Sequence, residues 1–213
     1  MHCGKKQEVI KMKILFCAVV GYLLGSLSPA AFFSKIKNKN IRHEGTGNLG
    51  ATNTFLVLGK KYGVAVMLFD VAKAYISVKI GKLLVPTIAA AGIVAGGFAI
   101  VGHIFPFYMK FKGGKGLASF GGLILALDPV VFIELFVIAV SLIFVVNYTV
   151  AAPISTSILF PIMYSVRHFD MASLLLLIAI GVLIITVHIP NIYRVKRGDD
   201  VKMREYVKKH LFG

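Results

Sequence analysis

The sequence is poor in several residue types that usually stabilise soluble or secreted proteins. Its 213 residues include no tryptophan, only nine aspartates and glutamates, and only two cysteines. Of the cysteines, Cys17 lies within an apolar run, so the pair does not supply the disulfide framework of a small secreted domain. With 57% hydrophobic and 15% charged residues, the chain has too little polar surface for an ordinary soluble enzyme.

Several catalytic signatures are also missing. There is no Gly-x-Ser-x-Gly elbow, no His-Glu-x-x-His motif and no Walker A loop. No run alternates with period two, which argues against a βαβ nucleotide fold. The six histidines include no pair four positions apart and the carboxylates do not cluster, so we predict no metal site.

What the chain does have is positive charge on a strongly apolar background. Its 24 lysines and arginines give a formal charge of +15. In a soluble chain this excess would suggest nucleic-acid binding, but the mean hydropathy of +0.82 indicates a membrane protein, and we predict no nucleic-acid partner. The basic residues then keep loops in the cytoplasm and attract anionic lipid or phosphorylated substrate.

Seven apolar segments predict an all-α bundle of about seven transmembrane helices, forming one domain over residues 1–213. Glycine and alanine recur in the third segment, which favours close helix packing in lipid. We interpret residues 1–12 as a surface or non-native N-terminal extension. The predicted spans are 14–33, 62–81, 84–107, 116–127, 130–147, 149–165 and 171–189.

The distribution of lysine and arginine predicts the orientation of this bundle. Most of these residues fall in three polar segments, 34–61, 108–116 and 190–213. The positive-inside rule therefore places the three segments and the C-terminus in the cytoplasm, and the N-terminus outside.

The first polar segment contains a stretch, residues 45–53, that alternates glycine with short polar side chains. This composition exposes backbone N–H groups and hydroxyls to an anion. A simple glycine turn between helices explains the pattern equally well. The candidate phosphate-binding residues here are Thr46, Gly47, Asn48, Gly50, Thr52 and Asn53.

The second polar segment places lysines beside glycines. Lys112 and Lys115 flank Gly113 and Gly114, and such a loop can direct ammonium groups and backbone donors to one phosphate. An ordinary positive-inside loop has the same composition.

The third polar segment begins inside the last span. Positions three apart share a helix face, so His188, Asn191 and Arg194 can meet the same ligand, and Pro190 need not break that face. A structural histidine beside a lipid-binding basic tail is the alternative interpretation.

Three charged residues lie well inside predicted spans, away from their ends. Asp70 and Lys73 are three positions apart and predict a structural ion pair, because a desolvated unpaired charge is costly. Glu134 also requires an interior partner or a water-lined pocket. If all three faced one cavity, transport of a small solute or anion would be the alternative function.

In this order and spacing the segments resemble the bacterial membrane acyl-phosphate:glycerol-3-phosphate acyltransferases, the PlsY family. The family patterns GSGNxGATNxxRxLG and GHxFPxFxxFKGGKGVAT read here as GTGNLGATNTFLVLG at 45–59 and GHIFPFYMKFKGGKGLAS at 102–119. The Asp70-x-x-Lys73 spacing and the terminal His-x-x-Asn-x-x-Arg also match. The motifs cover residues 22–120 and 188–200.

The resemblance implies transfer of a fatty acyl group from acyl phosphate to the 1-hydroxyl of glycerol 3-phosphate. The products are lysophosphatidic acid and phosphate, in the first step of phospholipid synthesis. The implied partners are these substrates and the lipids of the bacterial cytoplasmic membrane. No metal or organic cofactor is implied, and the oligomeric state is left open.

The resemblance also implies roles for the candidate residues. The 45–53 stretch contacts phosphate and hydroxyl groups, and the lysines of the second segment neutralise phosphate. Asn191 and Arg194 hold the glycerol phosphate. Either His103 or His188 orients the attacking hydroxyl or accepts its proton, and the sequence leaves that choice open. The predicted catalytic residues are His103, Lys115, His188 and Asn191.

The chain departs from the family pattern at two places that concern charge. Leu56 stands where the family has an arginine, and residues 147–150 replace an arginine-tyrosine-x-serine pattern with Asn-Tyr-Thr-Val. Leucine cannot replace a bidentate arginine contact to phosphate. A paralog that acts on a different substrate, or an inactive structural paralog, is therefore a further alternative.

Overall fold

The computed structural model describes residues 2–200 and 202–205, and these residues form helices and no strand. The all-helical class predicted from the sequence is confirmed. Because α1 begins at His2, most of the predicted N-terminal extension belongs to it. In chain order the helices are α1 (His2–Ser26), α2 (Pro29–Ile36), α3 (Ala51–Leu58), α4 (Lys60–Leu84), α5 (Ala90–Ile104), α6 (Leu117–Leu127), α7 (Pro129–Val146), α8 (Ala151–Arg167) and α9 (Met171–Arg197), with a 3-10 turn at Phe107–Met109.

The helices form two compact units that divide between Leu127 and Asp128. In the first unit α5 packs against α1, α4 and α6, while α4 also contacts α2 and α3. In the second unit α8 packs against α7 and α9. A single domain over the whole chain stays a prediction.

Glycines let α1 and α5 pack backbone against backbone. A Cβ at Gly25 would lie 2.0 Å from the Ala99 carbonyl oxygen, and one at Gly102 would lie 2.2 Å from the Tyr22 carbonyl oxygen. Because a carbonyl in a helix cannot yield to such a contact, only glycine fits at these two positions. Close packing of this kind holds helices together where lipid supplies no hydrophobic driving force.

Four helical segments of the described residues are long and apolar enough to cross a membrane. They are Gln7–Ile36, Ala90–Met109, Pro129–Val146 and Met171–Arg197. In α7, Phe136 is 60% exposed and Val145 is 72% exposed, an arrangement that suits contact with lipid tails. The total of seven spans stays a prediction.

The first predicted span, 14–33, is not one continuous helix. Helix α1 ends at Ser26, and α2 begins at Pro29 after a two-residue break. Proline suits the first turn of a helix but cannot continue the preceding one, because it lacks an N–H donor. The hydroxyl of Ser28 caps α2 by accepting from the Ala31 amide at 3.3 Å.

The third predicted span, 84–107, also differs from the structure. Helix α4 continues to Leu84, and α5 begins only at Ala90. Pro86 accounts for the gap, because a proline disfavours helical conformation at the residue before it. In α9, by contrast, the helix passes through Pro190 to Arg197, as predicted, and this keeps the third polar segment helical.

Asp128 caps the N-terminus of α7 and pairs with the end of α8. Its Oδ1 accepts from the Val130 and Val131 amides at 2.9 and 3.1 Å, and its Oδ2 lies 3.2 Å from His168 Nε2. Burial by itself would raise the pKa of this carboxyl. The hydrogen bonds from Val131, His168 and Val130 outweigh burial, so the pKa of Asp128 is lowered.

Ionised Asp128 therefore stabilises the protein at neutral pH. Because its pKa in the folded state is below the unfolded value of about 3.9, the contribution is complete above that value and is lost as the pH falls through the folded pKa. We expect Asp128→Asn to lower stability at neutral pH by about 0.3–1 kcal/mol and to match wild type in strong acid. Thermal unfolding in detergent measures both; a difference that does not change with pH contradicts the expectation.

Candidate active site

A buried ionic cluster lies where α4 meets α5 and the break after α1. Lys73 Nζ lies 2.7 Å from Asp70 Oδ1, donates to the Leu27 carbonyl at 2.8 Å and lies 2.9 Å from His103 Nδ1. The Asp70 contact is an ion pair without good hydrogen-bond geometry at Oδ1. The side chains of Asp70, Lys73 and His103 are 2, 3 and 7% exposed. The structure thus brings together the two residues of the predicted ion pair and adds His103 to them.

The other edge of the His103 ring faces residues 110–116, which we call the lysine–glycine loop. A Cβ at Gly114 would lie 2.2 Å from His103 Nε2, so only glycine lets the loop reach the ring. The Gly113 and Gly114 amides donate to the Ile104 and His103 carbonyls at 2.9 and 3.1 Å. Since both amides are occupied by α5, we assign the two glycines to close packing and not to amide donation to phosphate.

Side-chain hydrogen bonds to other elements hold the lysine–glycine loop and the turn before it. Arg42 Nη2 donates to the Lys112 carbonyl at 2.5 Å, and Tyr108 donates to the Ser26 carbonyl at 2.7 Å. Lys112 is exposed and Lys115 is partly buried. The loop is therefore a fixed platform that carries ammonium groups.

Sequence patterns do not reveal the contribution of Arg42. They place it only among the basic residues of a cytoplasmic loop, because its contact joins residues 70 positions apart. A contact between residues so far apart in the chain produces no local sequence pattern.

Asn53 shapes the first polar segment and does not face solvent. Its side chain is fully buried, and Nδ2 donates to the Ile41 and Glu44 carbonyls at 2.6 and 3.2 Å. Its Oδ1 accepts from the Thr46 amide at 2.7 Å. Both N–H donors of the amide are thus used inside the protein. We therefore assign Asn53 to the scaffold of this segment and not to phosphate binding.

Several polar residues near the N-terminus of α3 are accessible. Thr46, Gly47 and Thr52 are exposed and Asn48 is partly exposed, whereas Gly50 is buried. Gly50 is the N-cap residue and supplies no side-chain cap. The first amides of a helix have no acceptor within the helix, and such amides bind anions. The geometry therefore suits an anionic oxygen at this helix end.

A basic cavity of about 340 Å³ adjoins the first polar segment. Lys35, Lys39 and Arg42 give this cavity its positive charge. Leu56, which is 46% exposed on α3, contributes no charge to the same segment. The cavity is lined by Ala31, Ser34, Lys35, Asn38, Lys39, Asn40, Arg42 and Leu49.

In the second unit, α9 carries the three residues of the terminal motif. His188 is 4% exposed, and its Nδ1 lies 2.8 Å from the Ile184 carbonyl. Because a carbonyl only accepts, Nδ1 carries a proton and donates to it. Asn191 is partly buried, and Arg194 lies 3.7 Å from Asp200.

The single carboxylate of α7, Glu134, also has a protein partner. Glu134 accepts from both terminal nitrogens of Arg167, at 2.7 and 3.0 Å. Among the residues that the structure describes, no three histidine, cysteine, aspartate or glutamate side chains are grouped so that they could hold a metal ion. We therefore identify no metal ligands in that part of the chain.

The scaffold role of Asn53 differs measurably from the role of its exposed neighbour. Asn53→Ala removes three hydrogen bonds around a buried amide, so we expect a loss of about 1–3 kcal/mol in unfolding free energy. Thr52→Ala, at an exposed position, should leave thermal unfolding nearly unchanged. Equal unfolding temperatures for the two variants would remove the scaffold assignment.

Comparison with known proteins supports the resemblance seen in the motifs. A family model described as glycerol-3-phosphate acyltransferase matches residues 15–198. A glycerol-3-phosphate acyltransferase of Macrococcus caseolyticus is 38% identical over 91% of this chain and 98% of its own length. One from Aquifex aeolicus is 34% identical over 88% of this chain and 97% of its own length.

Solved structures give the same result. The fold is similar to crystal structures of PlsY (YgiH), an integral membrane glycerol 3-phosphate acyltransferase, in a glycerol 3-phosphate form and a lysophosphatidic acid form. The TM-scores are 0.83 and 0.81, at 33 and 32% identity, and the matches cover 89% of this chain and 94% of each neighbour. The chain therefore belongs to the glycerol-3-phosphate acyltransferase family.

Proposed function

We propose that the chain transfers a fatty acyl group from acyl phosphate to the 1-hydroxyl of glycerol 3-phosphate, giving lysophosphatidic acid and phosphate. The observation that carries the proposal is the similarity, over 89% of the chain, to a PlsY structure in its glycerol 3-phosphate form. The related structure in a lysophosphatidic acid form corresponds to the product of the same reaction.

The reaction is a direct acyl transfer. The hydroxyl oxygen of glycerol 3-phosphate attacks the acyl carbonyl carbon, and the bond from that carbon to the phosphate oxygen breaks. Phosphate leaves with the electron pair, and the hydroxyl proton passes to a basic atom. Because acyl phosphate is already activated, orientation, worth about 7–11 kcal/mol in well-aligned systems, and charge neutralisation are sufficient without a covalent acyl-enzyme.

The two accessible polar elements of the first unit suit the anionic groups of the substrates. Lys112 and Lys115 neutralise the donor phosphate at the lysine–glycine loop. The N-terminus of α3, with Thr46, Asn48 and Thr52, contacts phosphate and hydroxyl oxygens through amides and side chains. The Arg42 contact to the Lys112 carbonyl supports this assignment, because it fixes the loop that carries the lysines.

The family resemblance assigns further roles to residues of α9. Asn191 and Arg194 hold the glycerol phosphate. We propose Nε2 of His188 as the protein atom that accepts the hydroxyl proton. The ring is oriented by the hydrogen bond from its Nδ1 to the Ile184 carbonyl. A phosphate oxygen of the substrate is the alternative acceptor.

The chain is a multi-pass membrane protein, and the acyl tail of the donor and product remains in lipid. We place the polar segments 34–61, 108–116 and 190–213 on the cytoplasmic side and the N-terminus outside, because lysines and arginines concentrate in those segments. The exposed apolar side chains of α7 support lipid contact along its length.

Transport of a solute is the weaker candidate. A transporter needs charged groups that are available to its cargo in the membrane interior. Asp70 and Lys73 instead contact each other, and Glu134 is held by two hydrogen bonds from Arg167.

Acyl transfer by the purified protein tests the proposal. With palmitoyl phosphate and labelled glycerol 3-phosphate we expect labelled lysophosphatidic acid. We expect Lys115→Ala to lower kcat/KM at least about tenfold, because it removes one charge that neutralises the leaving phosphate. Lys79→Met, at an exposed lysine whose ammonium lies over the Tyr75 ring, is the matched control and should retain wild-type kinetics.

Acyl-CoA and acyl carrier protein thioesters serve as donor controls. No labelled lipid from any donor contradicts the acyltransferase assignment. Labelled lipid from a thioester but not from palmitoyl phosphate contradicts the donor assignment alone.

A further inference from the structure

We propose that His103 donates a fixed Nε2–H hydrogen bond to the acyl-phosphate group at the lysine–glycine loop, and that Lys73 is the positioning residue that sets this tautomer. The inference rests on the proposed function for the identity of the ligand. It assigns His103 a donor role in place of the hydroxyl-orienting or proton-accepting roles that the sequence left open.

The tautomer follows from the partner of Nδ1. Lys73 Nζ lies 2.9 Å from this nitrogen, and an ammonium group only donates hydrogen bonds. Nδ1 must therefore present its lone pair. A doubly protonated ring would place two like charges at hydrogen-bond distance in a buried site, so the ring is neutral and its single proton is on Nε2.

Asp70 is the competing partner of the ring. Its Oδ1 lies 3.3 Å from His103 Nδ1, and a carboxylate there would draw the proton to Nδ1. The ammonium prevents this, because it lies closer to Nδ1 and neutralises the carboxylate at 2.7 Å. Lys73 thus decides which nitrogen of His103 is the donor, although its own amine does not face the loop.

The Nε2 edge is aimed at the lysine–glycine loop. The ring is more than nine-tenths buried, and Nε2 lies where a Cβ of Gly114 would be only 2.2 Å away. Among the residues that the structure describes, no protein atom accepts a hydrogen bond from Nε2. An anionic oxygen bound at the loop would give this N–H an acceptor.

His103 thus presents an N–H at Nε2, which suits stabilisation of a leaving phosphate.

Nitrogen-15 NMR of histidine-labelled full-length protein in detergent tests the tautomer directly. The six histidines give six pairs of ring-nitrogen signals, and His103→Gln identifies the pair of interest. We expect wild-type His103 to be protonated at Nε2 alone, and Lys73→Met to move the proton to Nδ1. A wild-type ring protonated at Nδ1 overturns the proposal.

Addition of palmitoyl phosphate tests the donor role. We expect the His103 Nε2 signal to shift on saturation with palmitoyl phosphate and the His168 signal, from a 52% exposed side chain beside Asp128, to stay in place. An unchanged His103 signal at saturation overturns the donor role.

Two double variants separate positioning from simple removal of buried charge. Asp70→Asn/Lys73→Met and Asp70→Leu/Lys73→Met both lack the ion pair, but only the first keeps a side-chain N–H that can donate to Nδ1. We expect the first to retain a KM for palmitoyl phosphate close to wild type and the second to raise it at least about tenfold, with the KM for glycerol 3-phosphate unchanged in both. Equal KM values for palmitoyl phosphate in the two variants overturn the role of Lys73.

The measurements also separate this inference from the proposed function. If palmitoyl phosphate shifts the Nε2 signal but wild-type protein forms no lysophosphatidic acid, the proposed function fails and the His103 donor site is supported. If lysophosphatidic acid forms while the Nε2 signal is unmoved, the proposed function stands and the inference about His103 is overturned.

Discussion

A charged ammonium persists inside an apolar helix bundle only when acceptor atoms surround it, and Lys73 satisfies this constraint with three partners from three parts of the first unit. The carboxylate of Asp70 comes from its own helix, the Leu27 carbonyl comes from the break between α1 and α2, and the imidazole of His103 comes from the end of α5. The break is therefore needed by the cluster, because a continuous helix would engage the Leu27 carbonyl internally. One buried charge thus ties α4 to the ends of two other helices.

The same region explains why glycines are required beside the lysines. The lysine–glycine loop folds back onto α5, where Gly113 and Gly114 leave no room for a Cβ against the His103 carbonyl and ring. Arg42, from the first polar segment, also fixes the loop through its hydrogen bond to the Lys112 carbonyl. A loop held in this way presents its charges without reorganising when an anion binds, which is the property that electrostatic catalysis requires. The proposed acyl transfer accordingly depends on the positioning of the substrates and not on a nucleophilic side chain of the enzyme.

The sequence predicts local features of this arrangement well and distant contacts poorly. Apolar periodicity predicts the helices, and three-residue spacing predicts that Asp70 meets Lys73, because both follow from the geometry of one helix. The contacts of His103 with Lys73 and of Arg42 with Lys112 join residues 30 and 70 positions apart, and no local pattern encodes them. At Asn53, by contrast, a local pattern predicts a role that the structure does not support. Its place in a glycine-rich motif suggests ligand binding, whereas burial commits its amide to the backbone.

The central claim is that an anion at the lysine–glycine loop is recognised by lysines together with the Nε2–H of a buried histidine. A crystal structure of the full chain with a non-hydrolysable acyl phosphonate tests it most directly. The account predicts a phosphonate oxygen within hydrogen-bond distance, about 2.7–3.2 Å, of His103 Nε2, with Lys112 or Lys115 on the same group. A phosphonate bound elsewhere, with His103 Nε2 still without an acceptor, would contradict the account.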